Sequence, residues 1–140
     1  MTKHESYAVN PIGRVESALK ERKDAPRQPF QGAPEAWLVI DTQFVDALDG
    51  VVPGSEIIVL TWLHRAKRDV LKVRPGHDPK NPITGVFDTR SPDRPNPIGL
   101  HRVKVLEIEK ERRVKVDHLE AVDGTPVIDI KPVLNDERGQ

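Results

Sequence analysis

The sequence predicts a mainly β protein, a small antiparallel barrel or sandwich with one or two short helices. Three observations predict it. The apolar runs are four to eight residues long, rich in Val and Ile, and bounded by Gly, Pro or Asp, the pattern of short strands. Thirteen prolines and nine glycines are spread along 140 residues, so the chain reads as short elements joined by structured turns. One segment alone, DTQFVDALDG, has helical spacing.

The elements follow in order. AWLVI (Ala36 to Ile40) is a strand. In DTQFVDALDG, Asp41 or Thr42 can cap a short helix, Phe44, Val45 and Leu48 share a face, and Gly50 ends it. EIIVLTWL (Glu56 to Leu63) is the most apolar strand. VKVLEI (Val103 to Ile108) breaks phase: Val103 and Val105 point one way, Leu106 and Ile108 the other. Strict alternation cannot hold both pairs, which predicts a bulge near Val105–Leu106. EIEKERRVKV then reads as a hairpin that turns near Glu109 to Glu111 into RVKV (Arg113 to Val116). DGTP (Asp123 to Pro126) has the chemistry of a tight hairpin turn, with Gly124 free to take positive φ, and PVIDI (Pro126 to Ile130) is the last strand. There is no internal repeat and no Gly-Ser linker, so the length fits one domain.

Composition narrows the class. The absence of cysteine excludes disulfides and thiolate metal sites. MTKHESYAVN has no apolar leader core, and no run approaches the roughly 20 apolar residues of a membrane span; a cytoplasmic protein without a membrane partner is expected. Lys and Arg number 22, as do Asp and Glu, which is not the balance of a general nucleic-acid coat. The charges are unevenly placed. Arg65, Lys67, Arg68, Lys72 and Arg74 meet only Asp69, and Arg14, Lys20, Arg22, Lys23 and Arg27 form a second, interrupted basic stretch. These are a basic face or solvated loop charges.

One stretch stands out for chemistry. In GVFDTRSPDRPNPIGL (Gly85 to Leu100), Pro92, Pro95 and Pro97 fix φ and remove donors, and Ser91, Arg94 and Asn96 are each restricted by a following proline. Such a loop is stiff before a ligand arrives, which spares the ligand the ordering entropy. It carries Arg90, Arg94 and Asn96. Guanidinium groups grip carboxylate or phosphate bidentately; Asn96 can read a base edge or cap a backbone group. The plainer alternative pairs Arg90 with a nearby Asp and leaves the prolines to shape a turn. DAPRQPFQGAP (Asp24 to Pro34) is built alike, and TWLHRAKR (Thr61 to Arg68) sets His64 and Arg65 at a strand end. No dinucleotide fingerprint, phosphate-binding P-loop or nucleophile elbow occurs. The five histidines lack ligand spacing with acids, so no metal is expected.

DAPRQP, VLTWLHRA, GVFDTRSPDRPNPIGLHRV and DGTPVIDIKP, in that order along the chain, resemble the signature segments of the TsaA-like (TrmO) family of tRNA methyltransferases. The resemblance runs from about Tyr7 to Pro132, the domain core, and leaves 133–140 as a tail. It implies a small antiparallel β-barrel that dimerises, binds S-adenosylmethionine and methylates the exocyclic amine of threonylcarbamoyladenosine beside the anticodon of threonine tRNA. Carried over, the cofactor positions are Pro26, Arg27 and Gln28; His64 and Arg65; Arg90; Leu100; and Asp123, Gly124, Thr125 and Pro126. Arg94 and Asn96 would meet the tRNA anticodon loop, and His64 or Asp88 would accept the proton that the attacked amine loses. The chain departs from the family at Asp88 (often a small residue), His101 (usually Ser or Thr), Thr61 (often aromatic) and Val133 (commonly aromatic), and the extra C-terminal domain of longer members is expected to be missing. Competing readings are a non-catalytic S-adenosylmethionine- or RNA-binding module and a methyltransferase for another small acceptor.

Overall fold

The computed structural model describes residues 5–22 and 32–134. Among the described residues there are eight strands: β1 Gly13–Ser17, β2 Ala36–Ile40, β3 Glu56–Trp62, β4 Lys72–Val73, β5 Thr84–Gly85, β6 Ile98–Glu109, β7 Arg113–Val116 and β8 Pro126–Pro132. Six of them close an antiparallel barrel in the order β1-β2-β7-β6-β3-β8, while β4 and β5 pair apart as a small ribbon. The expected barrel is therefore present.

Alternation dictates which side chains fill it. β1 and β2 bury every second residue, and β6 does so from Gly99 to Val105. Leu38, Val59, Val114, Val116 and Val127 are fully enclosed, and Leu119 of the β7–β8 connection joins them. Each such aliphatic side chain contributes about 1.5–3 kcal/mol of burial. The core is thus a Val-rich barrel interior of modest diameter.

The bulge falls where the phase break put it. Val105 pairs with Val116 and Glu107 with Lys115, so Leu106 is the extra residue. Leu106 stays on the outside and Ile108 is returned to the core side. The hairpin turn is Lys110–Glu111, with φ of 52° and 61°, closed by the Arg112 amide donating to the Glu109 carbonyl at 3.1 Å. Two non-glycine residues in left-handed geometry store strain, at about 1–2 kcal/mol each. Glu111→Gly is therefore expected to raise stability by about 0.5–1 kcal/mol, net of glycine's larger unfolded entropy; urea midpoints at unchanged slope would show it.

The helical segment is a 3-10 helix, Thr42–Leu48, rather than an α-helix. Asp41 makes no side-chain cap; its carbonyl instead accepts from the Phe44 amide at 2.9 Å. Seven residues are too few for α-helix to propagate on its own, and packing of Phe44 and Leu48 on the core decides the geometry. The segment caps one end of the barrel, beside a cavity of about 600 Å³ that Phe44, Leu48, Ile57 and Ile130 help to line.

Three of the differences from expectation have a clear physical reason. β1 was not foreseen, because GRVES carries one large apolar residue. Its inward positions are Gly13, Val15 and Ser17, and Gly13 must be small because a Cβ there would overlap the Val39 carbonyl oxygen. β6 begins at Ile98, five residues before Val103, since its first inward positions are Gly99 and His101. The DGTP turn, with Gly124 at φ 83°, is not part of a hairpin. It feeds β8 from the β7–β8 connection, and the Gly124 amide ties it to the Val15 carbonyl at 2.7 Å.

Candidate functional site

The site lies at the barrel end opposite the 3-10 helix, where β3 ends and β6 begins. Trp62 and Ile98 are the last paired residues there. Between them the chain makes its longest excursion, residues 63–97, carrying the β4–β5 ribbon and the arginine loop.

That loop is held by more than its prolines. Arg94 turns its guanidinium inward on the loop itself: Nη1 donates to the Thr89 and Ser91 carbonyls at 3.0 and 3.1 Å, and Nη2 to the Val86 carbonyl at 2.8 Å. Arg68 clamps the far side, with Nε on the Pro95 carbonyl at 2.7 Å and Nη2 on Asn96 Oδ1 at 3.0 Å, while stacking over Trp62 at 5.1 Å. Arg94 and Asn96, expected to face substrate, are thus engaged in bracing the loop. Arg90 and Asp88 are exposed, and among the described residues neither has a side-chain hydrogen bond or ion pair. Among the described residues no Asp pairs with Arg90, contrary to the plainer alternative. One face of the loop is tied down, and the Arg90 side chain is exposed.

Among the described residues, the His64–Arg65 and Asp123–Pro126 segments are stitched to this loop. Asp93 Oδ1 accepts the Lys67 amide at 2.8 Å and Arg22 Nη2 at 3.1 Å. Arg22 also reaches the Arg65 carbonyl at 3.0 Å, and Arg65 in turn donates to the Lys20 carbonyl at 2.8 Å. Lys20 then pairs with Asp123 at 3.1 Å. A continuous chain of contacts therefore links the arginine loop, the His64–Arg65 strand end, the Lys20–Arg22 segment and the Asp123–Gly124–Thr125–Pro126 turn. Pro26, Arg27 and Gln28 lie outside the described residues. Leu100 stands on the outer wall of β6 opposite Leu60 and is 47% exposed. It offers apolar surface beside the loop, but no hydrogen bond joins it to the chain of contacts.

Two titrating groups are perturbed here. His64 is pushed below its ordinary value by partial desolvation, then by the nearby Arg65 and Arg14 charges, which keeps it neutral and able to accept a proton at neutral pH. Asp123 is held below its ordinary value chiefly by the Ser17 amide hydrogen bond, with Lys20 and Arg65 assisting against desolvation. A carboxylate lowered in the folded state stabilises above its unfolded value, and that stability is lost as pH falls through the folded value. The stability gap between the native chain and Asp123→Asn should therefore be constant near neutrality and shrink only below about pH 4, as thermal melts across acid pH would record.

Sequence reasoning missed one cluster. His101, buried beneath this end of the barrel, lies between Thr61 and Glu120, each at 2.7 Å. The signal was available: Gly99, His101, Val103 and Val105 are alternate residues of one strand, so His101 had to face inward with the valines.

Comparison with known proteins places the chain. It is 46% identical over 128 residues to a protein of Methanothermobacter thermautotrophicus named "Probable S-adenosyl-L-methionine-binding protein", covering 91% of this chain and 90% of that one. It is also 46% identical over 123 residues to an "S-adenosyl-L-methionine-binding protein" of Archaeoglobus fulgidus, covering 88% and 86%. A crystal structure of TrmO from Pseudomonas aeruginosa superposes with a TM-score of 0.74 at 32% identity, covering 96% of this chain and 57% of that one; the chain thus spans less than two thirds of the TrmO it matches. Residues 14–137 match the tRNA-methyltransferase O N-terminal domain. On that match, and on the barrel and stitched loops that accompany it, the chain belongs to the TsaA-like family of tRNA-methyltransferase O N-terminal domains.

Proposed function

We propose that this chain is an S-adenosylmethionine-dependent methyltransferase that modifies tRNA, with threonylcarbamoyladenosine beside the anticodon of threonine tRNA as its acceptor. The observation that carries the reading is the stitching of three of the four signature segments at one barrel end, with the Arg90 side chain unpaired among the described residues. The donor set suits the cofactor. Arg90 supplies a guanidinium for the methionine carboxylate, the outer wall around Leu100 supplies apolar contact, and the Asp123–Pro126 turn supplies backbone groups. Pro26, Arg27 and Gln28 complete the assigned set. When bound, the cofactor supplies an electrophilic methyl group on a sulfonium. The chain's own work is alignment and removal of water, and neutral His64, or Asp88, takes the proton given up by the amine.

Two further features support the partners. Lys67, Lys72 and Lys80 carry no ion pair among the described residues, as suits contacts to an RNA backbone. Outside the barrel, Leu60, Ile98 and Leu100 form an apolar stripe that ends at Trp62 under Arg68, whereas the β2–β7 wall carries Arg113 and Lys115 over Trp37. An apolar stripe on one wall alone suits a homodimer, and sedimentation showing a clean monomer at micromolar concentration would contradict it. Among the described residues no helix is long and apolar enough to cross a membrane, and no group of three or more metal-ligating side chains gathers; a cytoplasmic enzyme without a metal is part of the proposal. Transfer of a labelled methyl group to threonine tRNA carrying the modified adenosine tests it directly. Cofactor binding without transfer favours the binding-module reading, which the relatives' names also fit. Transfer to a small acceptor without tRNA favours the third. Full turnover in both His64→Ala and Asp88→Ala removes them as proton acceptors.

A further inference from the structure

Within the barrel, Thr61, His101 and Glu120 form one hydrogen-bonded line. Thr61 Oγ1 meets His101 Nε2 at 2.7 Å and Glu120 Oε1 meets His101 Nδ1 at 2.7 Å. Thr61 is fully enclosed and His101 is 3% exposed. Gly99, paired across the sheet with Thr61, leaves the space: a Cβ there would overlap Thr61 Oγ1 and stand 2.7 Å from His101 Nε2. Glu120 Oε2 is buried without a partner.

The line crosses three elements that each carry or lead into candidate cofactor residues. Thr61, on β3, is three residues before His64, just past the strand end. His101 follows Leu100 on β6. Glu120 is three residues before Asp123 in the connection that ends at the DGTP turn. Polar groups inside an apolar barrel are costly unless fully paired. A line of this kind is also directional, so it fixes the rotation of the side chains it joins. Plain aliphatic packing at these inward positions would fill the barrel but would not hold the connection in register with β3 and β6.

We infer that Thr61, His101 and Glu120 act together as positioning residues for the cofactor site, setting the DGTP turn against the ends of β3 and β6. The inference rests on the cofactor assignment above. Among the described residues Glu120 Oε2 has no donor, so the connection is the element of the three with bonding capacity left unused.

The test uses the full chain and S-adenosylmethionine. Thr61→Val removes the hydroxyl at constant shape, and Glu120→Gln removes the charge. Each is expected to weaken calorimetric binding about tenfold, the size of one buried hydrogen bond, while Thr61→Ser restores it to within about threefold. Ile57→Val, at the far end of the same barrel, should lower the melting temperature and leave affinity unchanged. In the unmutated chain, the His101 ring nitrogens, assigned by nitrogen-15 NMR, should shift when cofactor is added. If both variants melt earlier but bind as tightly as the native chain, the line is structural only and the inference is overturned. If Thr61→Val does not fold, the native spectrum decides, and an unmoved His101 resonance overturns it. If the native chain binds no S-adenosylmethionine, the cofactor assignment itself fails.

Discussion

Arg94→Ala is expected to cost about 2–3 kcal/mol of stability and to weaken cofactor binding at least about tenfold. Its guanidinium satisfies three carbonyls, those of Val86, Thr89 and Ser91, from a half-buried position. A charged donor set of that kind is worth more than a neutral hydrogen bond, and truncation hands the carbonyls to water that must enter the loop. Prolines restrict each residue of the loop locally, but they do not fix its two arms relative to each other; Arg94 does. Arg94→Lys is expected to recover little, since an ammonium cannot reproduce the planar fork. Thermal melts and calorimetry with S-adenosylmethionine check both parts. Loss of tRNA affinity at unchanged melting temperature would return Arg94 to the substrate-contacting role that the sequence suggested.

Gly13→Ala is expected to destabilise by about 3 kcal/mol and to lower the melting temperature by roughly 10 °C. Gly13 sits at the closure of the barrel, paired with Ile40 on one side and Val127 on the other. The added methyl would overlap the Val39 carbonyl oxygen and stand 3.0 Å from Ile40 Cα. Both are main-chain atoms, so no side-chain rotation relieves the clash. The β1–β8 pairing that closes the barrel is only two residues long in register. Displacement of β1 there should also disturb the Gly124 amide bond to Val15, and with it the turn assigned to the cofactor. A melting temperature within about 2 °C of native would mean that the seam yields more easily than two paired backbones should.

The legible and illegible parts of this chain divide on physical grounds. Strands whose inward residues are Val, Ile or Leu were readable: β2 and β7 match to the residue, and the Val105–Leu106 phase break located a bulge. Strands whose inward residues are small or polar were not. Gly13 and Ser17 hid β1, and Gly99 and His101 hid the first half of β6, because alternation was judged by apolar content. Arg90, Arg94 and Asn96 were visible as a group, but spacing could not say which were committed to the loop. That division depends on which carbonyls lie within reach after folding. Of the Thr61–His101–Glu120 line, only Thr61 and His101 were legible, as separate departures from the family pattern, since its partners lie 40 and 19 residues apart in sequence.

The central claim is that a braced loop presents Arg90 to the methionine carboxylate of S-adenosylmethionine. Titration calorimetry of that cofactor into the native chain and into Arg90→Ala tests it most directly, with melting temperature measured alongside. The account predicts saturable binding by the native chain and a loss of about a hundredfold in the variant, the scale of a charge-assisted bidentate contact, at unchanged melting temperature because among the described residues the Arg90 side chain holds nothing else in place. Equal affinities in the two proteins would contradict it.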